Sequence, residues 1–422
     1  MRRILIISPH FPPSNLAAIH RSRLFAQHLP DFGWEPVILA VDQRYYEEKP
    51  DWNLVKLLPA GLRIEKVSAF PVTRPRLVGD IGLRAFFQLY RKAKKLLKEE
   101  KFDFLYIPVP PFYIALLGRL LHARTGVRYG IDYIDPWVHR FPGSDRRFSR
   151  HWFSTQLAKW LEPIAVKRSS LITGVAEGYY KGVQERNPRL TRAAVFGAMP
   201  YGGEEMDHLK VRELALQPYL FPKKPGKRQL VYAGAMLPKA YAPLEAILKT
   251  IAKDPAVFAD LEIHFIGTGK TPNDPAGFNI KAMAERYGLW QTIVYEYPAR
   301  IPYLDVLTHI EASAGVFILG STEPHYTPSK VYQGVLSKKP ILAILHARST
   351  ACEVIRTTNA GIVLAFDGEA GVGRIEEEFI PSYKKYASFS EAFSPDVVDY
   401  ALFDQFSAKA VTQKLVELLD KA

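Results

Sequence analysis

Short aliphatic runs recur along the chain, and between them lie longer stretches in which apolar residues return every three or four positions. Runs of the first kind suit strands buried on both faces, and stretches of the second suit amphipathic helices, so the alternation predicts βα units around parallel sheets. In the first half the expected strands are Ile4–Ile7, Pro36–Ala40, Phe104–Ile107, Arg128–Ile134, Leu171–Val175 and Ala194–Gly197, with helices such as Ala17–Leu29, Leu83–Lys98, Ile114–Arg124 and Phe153–Lys167. Residues 209–228 break the pattern. Gln217-Pro218, Phe221-Pro222 and Lys223-Lys224-Pro225-Gly226-Lys227-Arg228 form a proline and charge cluster without periodicity, which reads as a linker. The pattern then restarts, with strands at Gln229–Ala233, Leu261–Ile266, Thr292–Tyr295, Gly315–Leu319, Pro340–Ile344 and Gly361–Ala365 and helices near 243–252, 278–286, 302–311, 328–337 and 349–356. A last amphipathic stretch, Phe403–Leu419, follows the region from Pro381 to Pro395. The expected organisation is therefore a Rossmann-like domain over 1–208, a linker over 209–228, a second Rossmann-like domain over 229–400, and a helix within 401–422 that returns towards the first domain.

Composition agrees with two globular α/β domains and narrows the setting. The chain has 422 residues, of which 48% are apolar and 23% charged, enough for two or three domains of the usual ~150 residues. The single cysteine, Cys352, excludes an intramolecular disulfide and a thiolate zinc cluster and favours a reducing compartment. Met1-Arg2-Arg3 opens like a signal peptide, but the apolar run Ile4–Ile7 ends at Ser8, Pro9 and His10, which suits a first strand. No stretch approaches the ~20 apolar residues of a membrane span. The net charge is +13 and unevenly placed: 32 basic and 20 acidic residues fall through Asp207, against 24 and 23 in the remainder. An anionic partner is expected on the side of the first domain.

Three loops at predicted strand ends carry the candidate chemistry. In the stretch Gly320 to Gln333, Thr327 suits an N-cap and Pro328 the first helical position, which predicts a helix start able to receive phosphate. Ser329 adds a hydroxyl and Lys330 a point charge, and Gln333, one turn on, can reach a ribose. An ordinary capped helix with a solvated lysine would show the same pattern. Gly234 and Lys239 follow the strand Gln229–Ala233, and Gly267 and Gly269 follow Leu261–Ile266; three such turns in one domain favour a nucleotide diphosphate site. In the first domain the loop from Ser8 to Asn15 has no glycine, so the dinucleotide fingerprint fails, which argues against a nicotinamide-dependent dehydrogenase. The segment Asp132 to His139 brings Asp135 and His139 to another strand end, where a carboxylate and an imidazole suit proton transfer; a helix cap at Asp135 beside a core Trp137 is the alternative. No metal-ligand spacing occurs, so neither a metal nor another cofactor is expected.

One helix is strongly basic. Over Leu83–Lys98, Leu83, Phe86, Phe87, Tyr90, Ala93 and Leu97 follow helical spacing, while Arg84, Arg91, Lys92, Lys95 and Lys98 crowd the other positions. Such a helix can face an anionic membrane, or it can be a domain helix with solvated lysines. Its aromatics share the apolar face instead of alternating with the charges, which argues against nucleic acid.

With these residues in view, the chain resembles glycosyltransferases of the GT-B fold, in particular glycosyltransferase family 4. The resemblance rests on Phe11-Pro12-Pro13 with Arg21, Gly33-Trp34-Glu35-Pro36, Ile131 to Trp137, Val175-Ala176-Glu177-Gly178, Val231 to Gly234, Ile266 to Gly269 and, most specifically, Thr327 to Pro340. It implies two Rossmann-like domains facing a cleft and retaining, metal-independent transfer of a sugar from a nucleotide-sugar to an acceptor hydroxyl. The donor would lie on Gly234, Lys239, Gly267, Gly269, Thr327, Ser329, Lys330 and Gln333, and the acceptor or phosphate side would include Asn15 and Arg21. The family's paired glutamates fall on His325 and Gln333, which leaves Glu323 or His325 beside the sugar. The acceptor would be a sugar, a lipid-linked group or another hydroxyl, in polysaccharide or glycolipid synthesis on the cytoplasmic face of the membrane. A non-catalytic nucleotide-binding scaffold, or a sugar-phosphate enzyme such as an epimerase, are the alternatives.

Overall fold

The structure is a computed structural model that describes residues 1–73, 79–138, 146–269, 274–324 and 326–422. The chain divides into two units, Met1–Tyr201 with Ala408–Ala422, and Gly202–Ser407.

The first unit is built on β1 (Arg2–Ile7), β2 (Trp34–Val41), β3 (Arg63–Val67), β4 (Phe104–Val109), β5 (Tyr129–Tyr133), β6 (Leu171–Gly174) and β7 (Val195–Ala198). They pair in the order β3-β2-β1-β4-β5-β6-β7, with every pair parallel. Because side chains alternate across a strand, β1 serves two cores. Leu5 and Ile7 join Val37, Leu39, Leu105, Ile107 and Ile131 on one face. Ile4 and Ile6 join Ile38, Phe104 and Tyr106 on the other, where the helix Ala408–Lys421 adds Val411, Leu415, Leu418 and Leu419. β3 was not anticipated. Its sequence, Arg-Ile-Glu-Lys-Val, belongs to an edge strand, and Arg63 pairs with Glu65 and Glu100 on its surface.

The basic stretch forms two helices instead of the single one expected. Asp80 accepts the Leu83 N–H and starts Ile81–Arg84, and after Ala85 the chain enters Phe86–Glu99, which buries Leu89, Ala93, Leu96 and Leu97.

The second unit holds β8 (Arg228–Ala233), β9 (Leu261–Ile266), β10 (Val294–Tyr297), β11 (Gly315–Leu319), β12 (Ile341–His346) and β13 (Gly361–Phe366), again all parallel, in the order β10-β9-β8-β11-β12-β13. Residues 209–228, expected to be a linker, fall within the second unit, are mostly exposed, and touch its sheet at a few points. The helix Glu205–Glu213 runs into them, the Phe221 ring stacks on His264 at 3.7 Å, and Lys224 pairs with Glu262 at 2.8 Å. The helix Val372–Ala392, which was not anticipated, runs through Pro381 into the region that separates the last helix from the sheet. A proline inside a helix removes one backbone bond, but Ile375, Phe379, Tyr383 and Tyr386 recur at helical spacing and are all buried, which outweighs that loss. Among the described residues no helix is long and apolar enough to cross a membrane.

Candidate functional site

In an open parallel sheet the crevice for a ligand lies at the carboxyl ends of strands where the order reverses direction. In the second unit that point lies between β8 and β11, flanked by the loops that follow them. The two loops are tied together: the Thr322 N–H donates to the Lys239 carbonyl at 3.1 Å, and the Lys239 ammonium lies 3.5 Å from Glu323. Gly234 leaves β8 at φ +113, and a Cβ there would lie 3.4 Å from the Lys330 ammonium. Lys330 in turn sits 3.6 Å from the centre of the Tyr232 ring. Gly234, Lys239, Glu323 and Lys330, separated in sequence, are thus brought to one place.

Lys330 defines the electrostatics of this crevice. It keeps part of its surface open, yet the chain around its ammonium pushes it down to about 7, and burial is the sole cause. No carboxylate answers it among the described residues. A desolvated cation without an anion is a costly arrangement that an incoming anionic group would relieve.

Several expectations for this loop change. The helix begins at Lys330, with Ser329 at its N-cap, and not at Pro328 behind a Thr327 cap, and it spans only Lys330–Leu336. The reason is local: the Thr327 hydroxyl bonds the Thr350 hydroxyl at 2.8 Å instead of capping, and Ser329, at the N-cap, makes no side-chain cap bond. The Val331 and Tyr332 N–H groups donate to the Pro328 and Ser329 carbonyls at 3.2 and 3.4 Å, so they are already engaged. Gln333 is also engaged: its Oε1 lies 2.8 Å from His208 Nε2, and His208 Nδ1 lies 2.6 Å from Glu311 Oε1. A carboxylate only accepts, so Nδ1 carries a proton and the Nε2 edge sets the orientation of the Gln333 amide. His208 escaped sequence reasoning because it lies 125 residues from Gln333. His325 lies outside the described residues.

The third loop is closed by internal bonds. Gly267 has φ +72 and donates to the Tyr297 carbonyl, and a Cβ on Gly269 would meet the Pro298 carbonyl oxygen at 2.6 Å. Buried Glu296 accepts the Thr268 hydroxyl at 2.7 Å and the N–H groups of Asn279, Ile280 and Lys281 at 2.9, 2.9 and 3.0 Å. These glycines permit close packing of backbone on backbone.

The first unit has its own reversal between β1 and β4. Arg21, expected on the acceptor side, is buried there and fully committed: Nε and Nη2 donate to Asp132 at 2.8 and 3.1 Å, and Nη1 donates to the Pro200 carbonyl. Asp132 also accepts the Thr173 hydroxyl at 2.7 Å. Arg21 is therefore structural. Asn15 is half-buried in the loop between β1 and the helix Ala17–His28. The same loop contains His10, not singled out from sequence, whose Nδ1 lies 2.9 Å from Glu48. Burial acts to raise the Glu48 carboxyl, but bonds from His10 and Ser14 outweigh it and bring it down to about 2. Asp135 keeps a face open to water while the surrounding chain pushes its carboxyl up to about 6, so it can hold or release a proton near neutrality. Trp137 is buried and stacks on Phe112. His139 lies outside the described residues.

The predicted membrane-facing set divides. Arg84 is buried and donates to the Phe70 and Tyr45 carbonyls, each at 3.0 Å, because its helix ends against that loop. Lys92 pairs with Glu65 at 2.6 Å. Arg91, Lys95 and Lys98 are exposed, with Lys95 3.9 Å from Glu99. Among the described residues no group of three or more His, Cys, Asp or Glu is placed to hold a metal ion.

No protein-family model and no curated protein matches the chain. Solved structures match it over its length. HepE of Anabaena, in complex with UDP-glucose, is 14% identical, with 100% of both chains covered and a TM-score of 0.61. The UDP-forming α,α-trehalose-phosphate synthase of Burkholderia vietnamiensis is 10% identical, with 100% of both chains covered and a TM-score of 0.60. WaaG, a glycosyltransferase involved in lipopolysaccharide biosynthesis, is 10% identical, with 99% of each chain covered and a TM-score of 0.57. The two parallel sheets, of seven and six strands, are those of the GT-B fold shared by these glycosyltransferases.

Proposed function

We propose that the protein is a retaining glycosyltransferase that moves a sugar from a nucleotide-sugar to an acceptor hydroxyl. The observation that carries this reading is the Lys330 ammonium, desolvated and without a carboxylate, beside Gly234 and Tyr232 at the strand reversal of the second unit. A diphosphate supplies the missing charge, and UDP and UDP-glucose bound by HepE support a nucleoside diphosphate as its source. In the reaction the bond from the anomeric carbon to the diphosphate oxygen breaks and the acceptor oxygen bonds to that carbon. The acceptor proton leaves with the diphosphate. Lys330 holds the charge that develops on the leaving group, and Lys239 adds to it when Glu323 turns towards the sugar. These lysines are the countercharge, so the reading needs no metal ion. Gln333, oriented by His208, meets the ribose. The family-4-like element Thr327 to Pro340 supports retention of configuration.

The basic excess of the first half supports an acceptor joined to an anionic group, as in glycolipid or cell-surface polysaccharide synthesis at the cytoplasmic face of the membrane. Calorimetry with UDP-glucose, followed by product release in an acceptor screen, tests the proposal. Binding weakened in Lys330→Met and turnover in the wild type are the expected results; equal binding by both proteins removes the donor site. Binding without turnover in any acceptor screen supports the scaffold reading instead, which the replacement of both glutamates by His325 and Gln333 favours.

A further inference from the structure

We propose that the helix Arg150–Val166 docks this protein on an anionic lipid bilayer through an exposed apolar stripe. Phe153, Leu157, Trp160 and Ile164 are spaced by four, three and four residues, which places them on one narrow arc of the helix. They are 55%, 41%, 80% and 49% exposed. The opposite arc is the one that anchors the helix: Ala158, Ala165 and Val166 are buried, and buried Glu162 accepts bonds from Arg186 and Asn187. A domain helix normally turns its apolar stripe inward, and here a second stripe of large side chains faces water. Phe148 extends the patch ahead of the helix. It is 76% exposed, its ring lies 5.7 Å from Trp152 and 6.3 Å from Phe153, and it is held at φ +63, a conformation that a bulky residue rarely adopts.

Charge selects the occupant. From Arg146 to Arg168 the one carboxylate is Glu162, which is buried and paired. Arg146 and Arg147 precede the stripe, Lys167 and Arg168 close it, and all four are exposed. A layer of anionic headgroups matches both features at once: the aromatic and aliphatic side chains enter the acyl boundary while the cations meet phosphates. Over the stretch Leu83–Lys98, expected to face the membrane, the aliphatic side chains Leu89, Ala93, Leu96 and Leu97 are buried in the unit, so that stretch offers charge without an exposed aliphatic stripe. The inference goes beyond the donor reading and fails separately from it, because the assay contains no nucleotide-sugar.

The test is sedimentation of the full chain with vesicles of phosphatidylglycerol and phosphatidylcholine, against vesicles of phosphatidylcholine alone. Wild type is expected to bind the anionic vesicles, less so as salt rises. The pair Phe153→Ser and Trp160→Ser should weaken binding at least tenfold, and Lys167→Glu with Arg168→Glu severalfold. Lys95→Glu with Lys98→Glu on the other helix should change it less than twofold. The altered side chains are exposed, so circular dichroism and UDP affinity should match wild type, which separates lost docking from lost folding. Unchanged binding in the Phe153 and Trp160 variant overturns the proposal. So does a self-associating protein that binds no vesicles and becomes monomeric in Trp160→Ser, since a second copy would then be the occupant.

Discussion

Arg21 and Lys330 are both cations withdrawn from water near a strand reversal, one in each unit, and they are answered in opposite ways. Around Arg21, burial works against the charge, yet Asp132 more than restores it, and the guanidinium ends above its ordinary pKa. Around Lys330 burial acts alone and the ammonium falls to about 7. The first arrangement is complete without a ligand, whereas in the proposed function a diphosphate completes the second. What marks a site is a buried charge that the fold leaves unanswered, more than burial or charge itself.

The comparison is broken most directly at its complete end. Arg21→Met leaves Asp132 buried without its cation and should cost about 3–5 kcal/mol, read by chemical denaturation. Lys330→Met should leave stability unchanged or raise it, while UDP affinity by calorimetry falls about 10–100-fold, the usual worth of a charge-assisted bond. Reversed outcomes, with Arg21→Met losing UDP and Lys330→Met unfolding, would overturn the assignment of both.

A third group lies between the two. His264 has Glu262 at 3.4 Å, yet burial, the largest influence, wins and lowers the imidazole to about 4. Its folded pKa lies below the unfolded value near 6.5, so the unfolded chain binds more protons between those values and stability falls as pH drops through that window. The loss should be about 3 kcal/mol, and His264→Gln should flatten it in melts across pH 4–7.

The same reasoning applied to Lys330 gives stability that rises with pH between about 7 and the unfolded value near 10.5, where the unfolded chain again holds the extra proton. Diphosphate binding runs the other way. It requires the ammonium, so affinity should fall by up to about tenfold per pH unit above 7, with proton uptake seen as a calorimetric heat that depends on buffer. The smallest effect is expected at His208→Leu, which frees the Gln333 amide and should raise KM for the donor about fivefold, the worth of one hydrogen bond, with kcat little changed.

Much of the fold could be read from the chain because several strands are continuous aliphatic runs, as in Ile4–Ile7 or Ile341–Leu345, which suit a sheet covered on both faces. β3 was hidden because an edge strand can be polar, and Val372–Ala392 because Pro381 carries a local signal that tertiary packing overrides. Of the candidate site, the strand-end loops were legible: Gly234, Lys239, Glu323 and Lys330, which lie on them, come close together in the structure. Whether a cation has a partner was not legible, since Asp132 lies 111 residues from Arg21. Exposure was equally hidden. The helix richest in lysine buries its aliphatic stripe, while the less conspicuous Arg150–Val166 leaves its own in water.

The helix Ala408–Lys421 bears on the order in which the molecule comes together. It supplies Val411, Leu415, Leu418 and Leu419 to one face of the first sheet, yet it leaves the ribosome after the whole of Gly202–Ser407. The unit translated first is thus the one finished last. Until those residues emerge, Ile4, Ile6, Phe104 and Tyr106 lack their cover, while the second unit already has every strand it needs. A nascent chain paused before Ala408 would present one assembled unit and one open apolar face, the form of this protein most in need of a chaperone.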